Sequence, residues 1–247
     1  MADTPHNNGI LIGGVWHSVA APVRTWHDHG LELKPGKGAR VRKPGQVIDT
    51  FVVHITGAEH PPEKMFANLL KRTVPVFNDE GVQVGSKPQP LGTEFSIAED
   101  GTVYQFCDPI HVDSYDAGYL NASSIGCEII NYGFTKDARL EQQWGAKRAK
   151  YPTLIHGKRY EMAHSHPAQH ASLLALADAL TESPLLAIPR KMARNPDGTY
   201  RGQGLNDLMT REEASGFAGV IGHFQFDKGK LDPGSDVLDT LAFAGYK

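Results

Sequence analysis

The first sustained apolar run in the chain is IDTFVVHIT, residues 48–56, β-branched almost throughout and closed by Gly57. Such continuous apolarity predicts a central strand covered on both faces, because a half-exposed strand would alternate. PPEKMFANLLKR follows, with Pro61 and Pro62 where a first helical turn tolerates a missing N–H. Met65, Phe66, Leu69 and Leu70 share one face of that helix, an ordinary core stripe. FSIAEDGTVYQFCD, residues 95–108, has two short runs around Glu99-Asp100-Gly101 and predicts a hairpin. SIGCEIIN, residues 124–131, predicts another buried strand, and residues 166–181 predict an amphipathic helix with Leu173, Leu174, Leu176, Ala177 and Leu180 available to the core. The last apolar run, GVIG before His223, gives way to polar residues and glycines. Strands and helices in this succession predict an α/β fold, a mixed central β-sheet flanked by helices.

Residues 1–45 are rich in Gly, Pro, His and basic side chains and are expected to form an N-terminal arm or extension, loosely structured. Residues 46–247 are expected to form the one main domain, with a surface insertion at about 189–216. With 247 residues, 40% hydrophobic and 21% charged, the chain suffices for such a domain. A formal net charge of −3 argues against nucleic acid as a partner. Cys107 and Cys127 are too few for a disulfide framework and form no CxxC pair; two buried thiols are expected, with a single disulfide left open. No basic, then apolar, leader is seen in the first twelve residues, and no window approaches a membrane span. The expectation is a chain synthesised in the cytoplasm without a signal peptide, which reaches a substrate outside the membrane only if released.

Candidate chemistry sits in three places. His54 lies within the first buried strand, where a lone histidine is more often a hydrogen-bonded core residue than a ligand. Glu128 shares a strand face with Gly126 and Ile130. A carboxylate there is paired or neutralised, unless the strand end faces water. In HFQFDKGKLDPG, His223, Lys230 and Asp232 converge before Pro233-Gly234. As a surface loop this is unremarkable; joined by His54 it gives two histidines and a carboxylate. Three protein ligands leave a fourth position on zinc for water, as in catalytic sites. His164, His166 and His170 form a competing cluster at a helix start, with no acidic residue inside it.

Taken in order, VVHIT, FSIAEDGTVYQF, AGYLNASSIGCEII, the helix from His166 and HFQFDKGKLDPG resemble the zinc N-acetylmuramoyl-L-alanine amidases, a family that includes phage lysozyme-type amidases and peptidoglycan recognition proteins. The resemblance runs from about Gln46 to Gly234 and implies that fold. It implies His54, His223 and Asp232 as ligands of Zn2+, with Glu128 and Lys230 catalytic. Some members use a tyrosine before the hairpin; the comparable position here is Thr93, and the glutamate is present. Asp116 departs from the family, which often has histidine before Ala117-Gly118. The segment 189–216 is longer than the family leads one to expect, and the arm before Gln46 has no clear counterpart.

The activity so implied is cleavage of the amide between N-acetylmuramic acid and L-alanine of the peptidoglycan stem, in an endolysin-like, bacteriolytic role. Two alternatives stay open: a recycling amidase acting on soluble muropeptides in the cytoplasm, and a peptidoglycan-binding protein without catalysis. The retained ligand set argues against the second. A metallopeptidase of another fold would be expected to carry an HExxH helix, which is not seen.

Overall fold

The computed structural model describes residues 8–78, 83–134, 142–143, 148–195, 197–201 and 208–247. In chain order the elements are β1 (Gly9–Ile12), β2 (Val15–Ser18), β3 (Val23–Thr25), α1 (Trp26–His29), β4 (Ala39–Val41), β5 (Thr50–Ile55), α2 (Pro62–Leu70), β6 (Thr73–Phe77) and β7 (Gln83–Pro88). Then come β8 (Phe95–Ile97), β9 (Val103–Gln105), β10 (Val112–Ser114), β11 (Ser124–Ile129), β12 (Lys150–Ile155), β13 (Lys158–Ala163), α3 (Pro167–Glu182), α4 (Arg211–Ser215), β14 (Gly219–Gly222) and α5 (Ser235–Phe243).

The central sheet has six strands in the order β14-β5-β11-β8-β9-β3. The first four run parallel, β9 is antiparallel to β8, and β3 runs parallel to β9. The sheet is mixed, as the succession of strands and helices predicts, and all six residues of β5 are buried, as its apolar run predicts. Strand alternation divides its residues between two faces. Phe51, Val53, Ile55, Ile125, Cys127 and Ile129 join Leu173, Leu176 and Leu180 of α3 and Leu238 and Leu241 of α5 in the main core. Val52 and Ile221, on the opposite face, pack with Ala117, Leu120, Met209, Ala214 and Phe226. That second face also carries His54 and Glu128, between an apolar patch on one side and α2 on the other. In α2, Met65 and Phe66 are buried and Leu69 and Leu70 partly so, as the stripe predicts.

Two expectations are revised. Residues 9–41 are not a loose lead-in: β1 and β2 form a hairpin whose Ile10 and Ile12 enter the main core, β3 closes one edge of the central sheet, and β4 pairs with β10. Strands of three or four residues broken by glycine and proline are too short to show a period. The segment 189–216 is only partly superficial. Met192, Ala193, Met209 and Ala214 are buried, and Met192 bridges Val220 of β14. Residues 196 and 202–207 of that segment lie outside the described residues. Both cysteines are buried and free, so the disulfide alternative falls away. Among the described residues no helix is long and apolar enough to cross a membrane.

Candidate active site

Strand register builds the site. Glu128 of β11 stands directly opposite His54 of β5, and Ser96 of β8 stands opposite Glu128. Gly222 of β14 pairs with Val53, so His223, the next residue, arrives beside His54. The two imidazoles meet edge to face, with centroids 4.6 Å apart. Asp232 comes from the following loop, which is pinned by the Phe224 N–H donating to the Asp232 carbonyl at 2.9 Å. Its Oδ2 lies 3.2 Å from His54 Nδ1 and 3.4 Å from His223 Nδ1.

One donor atom from each of His54, His223 and Asp232 lies within 4.8 Å of the others, the one such grouping among the described residues. Ligands sharing a tetrahedral zinc at 2.0–2.2 Å stand about 3.3 Å apart, close to both Asp232–histidine separations. The donor set, two imidazole nitrogens and a carboxylate oxygen, suits zinc in chemistry as well as in spacing.

Electrostatics point the same way. Burial opposes ionisation of Asp232, yet hydrogen bonds from His223 and His54 hold its carboxyl far below the usual carboxylate range. Burial also opposes protonation of His54. The Asp232 hydrogen bond and the charges of Glu128 and Asp116 overcome it and push the imidazole up to about 9. Burial drives His223 the other way, to about 4, despite its Asp232 contact. Burial likewise raises Glu128, against the pull of His54. Three carboxylates, Asp116, Glu128 and Asp232, line the cavity against two basic side chains, Arg72 and Lys230.

A cavity of about 140 Å³ holds all five residues expected from the sequence: His54, Glu128, His223, Lys230 and Asp232. It shares Arg72, Leu91, Asp116, His223 and Lys230 with a cleft of about 330 Å³ that reaches Gln89, Tyr115 and Asn121. On the other side of Glu128, Thr56 and Leu69 lead to a recess of about 90 Å³ lined by His60 and Asn68. The central cavity thus shares wall residues with each of the other two spaces.

Sequence reading did not single out Arg42 and Glu94, which lie fully buried beneath the site. Glu94 accepts from the Ser114 hydroxyl at 2.7 Å and the Gly126 N–H at 2.8 Å, and Arg42 stands 3.7 Å away. Arg42 also donates to the Pro109 and Ala122 carbonyls, both at 2.7 Å. A glutamate directly before the apolar run of β8 was the available signal for Glu94. The competing histidine cluster has a different use. His164 Nδ1 and His170 Nε2 contact the Asp236 carboxylate at 2.8 and 3.1 Å, tying α3 and the strand before it to α5. The missing acidic partner arrives from some seventy positions along the chain, which no local spacing reveals.

The profile of the N-acetylmuramoyl-L-alanine amidase family matches residues 44–235, and the chain belongs to that family. No curated protein matches it. Among solved structures it is similar to an endolysin, the N-acetylmuramoyl-L-alanine amidase LysCS from Clostridium intestinale, at 15% identity and TM-score 0.43, covering 88% of this chain and 95% of that one. A selenomethionine derivative of AmpD is similar at 16% identity and TM-score 0.47, covering 94% of this chain and 98% of that one. The peptidoglycan recognition protein PGRP-SA of Apis mellifera is similar at 12% identity and TM-score 0.45, covering 89% and 94%.

Proposed function

We propose that this chain is a zinc-dependent hydrolase of the amide joining N-acetylmuramic acid to the L-alanine of the peptidoglycan stem. The observation that carries the reading is the meeting of His54, His223 and Asp232 in the cavity that Glu128 and Lys230 also line. Zinc held by those three residues would supply an acidified water and polarise the carbonyl of the scissile amide. Glu128, in register with His54 and raised by burial, takes the proton from the attacking water and passes it to the departing alanine amine. Lys230 faces the same cavity and offsets the negative charge that develops on the carbonyl oxygen. The substrate partner is therefore peptidoglycan or a fragment of it.

Further recesses adjoining the cavity, one beside Thr56 and Leu69 and one beside Arg72 and Leu91, favour a polymeric substrate, and with it an endolysin-like lytic enzyme acting on the cell wall after release. A recycling amidase for soluble muropeptides uses the same residues. Digestion of purified sacculi followed by mass spectrometry, with and without a zinc chelator, tests the reading. Stem peptides with a free L-alanine amine, released only with zinc, are the expected result. Release from soluble muropeptides alone would move the role to recycling, and no cleavage of either would leave a binding protein.

A further inference from the structure

Asp116 is a carboxylate out of place. It stands on the segment leading into β11, with both oxygens sealed from solvent and neither hydrogen-bonded. Ser114 lies near it, but the Ser114 hydroxyl donates to Glu94. A buried acid left without a donor is destabilising, and such groups call for a specific explanation. The fold nevertheless makes room for this one. Gly126 faces it from β11, and a Cβ at that position would collide with the Asp116 carboxylate. The bare backbone of Gly126 is a cradle for an acid side chain.

The same cavity contains a complementary orphan. His54 turns Nδ1 toward Asp232, and its other ring nitrogen, Nε2, is sealed and has no partner. Among the described residues lining the cavity, that is the one sealed side-chain nitrogen without a hydrogen bond. The charges of Glu128, whose Oε2 is also sealed and without a hydrogen bond, and of Asp116 both act on His54. A histidine that ligates a metal through one nitrogen characteristically donates the other N–H to a carboxylate or carbonyl, which sets the tautomer and the ring angle.

We propose that Asp116 is the positioning residue for His54: it accepts the Nε2–H hydrogen bond once Nδ1 is engaged by zinc. This rests on the zinc reading above. In such an arrangement the aspartate does not touch substrate; it holds the imidazole with its unprotonated Nδ1 toward Asp232.

The test measures zinc affinity by chelator competition, together with melting of the metal-free protein, for wild type, Asp116→Ala, Asp116→Asn and Glu128→Gln. Expected are a fall in affinity of roughly 10–100-fold for Asp116→Ala, a smaller fall for Asp116→Asn, whose amide oxygen still accepts, and near-wild-type binding for Glu128→Gln. Melting of metal-free Asp116→Ala should be unchanged or higher, because an unpaired buried acid is removed. In the cobalt-substituted protein the visible spectrum should shift in Asp116→Ala and return toward wild type in Asp116→Asn. Wild-type affinity in Asp116→Ala would overturn the proposal, and a raised KM there would reassign the carboxylate to substrate. A loss in Glu128→Gln alone would move the acceptor to Glu128, and a drop in metal-free melting would make Asp116 a structural prop; either also overturns it. If wild type binds no zinc, the zinc reading fails first and this one with it.

Discussion

His54 and Glu128 are register partners on adjacent parallel strands, so their side chains leave the same face of the sheet one strand spacing apart. Parallel strands lie about 4.8 Å apart. A histidine in the candidate metal set and an acid suited to move protons are therefore positioned by backbone hydrogen bonding and not by a loop. Because side chains alternate at every residue, a slip of one position would turn Glu128 into the apolar core.

That relationship separates binding from turnover. Glu128→Ala is expected to retain zinc, since it is not one of the three converging residues, and to lose about 10²–10⁴ in kcat. Metal content by elemental analysis and release of stem peptide, measured on one preparation, check this. Near-normal turnover would remove the proton-transfer role.

His54→Ala and Asp232→Ala are each expected to lose bound zinc and activity together. A full complement of metal in His54→Ala would take that residue out of the ligand set. Chelation of the wild-type protein should reproduce the inactive state, and added zinc should reverse it.

Lys230→Ala should keep its zinc and lower kcat by about 10²–10³, the usual cost of removing a donor to a developing oxyanion. A variant that raised only KM would show instead that Lys230 holds the substrate in its ground state.

The Asp236 clasp predicts an acid dependence unrelated to metal. Burial would raise the Asp236 carboxyl, but hydrogen bonds from His170, the Ser165 N–H and His164 hold it below its usual value. A lowered carboxylate contributes stability that is present above its unfolded value of about 3.9 and lost as pH falls through the lower folded one. Asp236→Ala should cost about 1–3 kcal/mol at neutral pH. The gap in melting temperature between variant and wild type should narrow below about pH 4. A gap constant with pH would show that the carboxylate's charge plays no part in the clasp.

Much of this architecture was legible in the chain. The run around His54, the stripe of α2, the hairpin around Gly101, the strand carrying Glu128 and the helix after His166 each announce themselves through period and punctuation. The residues now found together in one cavity were nameable beforehand because the family's segments appear in order. What stayed hidden depends on partners distant in sequence. Arg42 reads as one more basic residue until Pro109, Ala122 and Ser124 surround it. Asp116 reads as a loop aspartate until Gly126 seats it. His164 and His170 resemble a metal motif until Asp236 reaches them.

The main sheet ends in β3, residues Val23–Thr25, and the main core includes Leu238 and Leu241 of α5. All of these lie beyond the family-matched residues 44–235. The segment recognisable by homology is thus smaller than the unit that folds. Trimming the gene to that segment would bare the backbone of β9 as an open edge, an invitation to intermolecular pairing, and would strip a helix from the core. The amidase cannot be lifted out as a cassette, because replacing either element would take away part of the sheet or of the core.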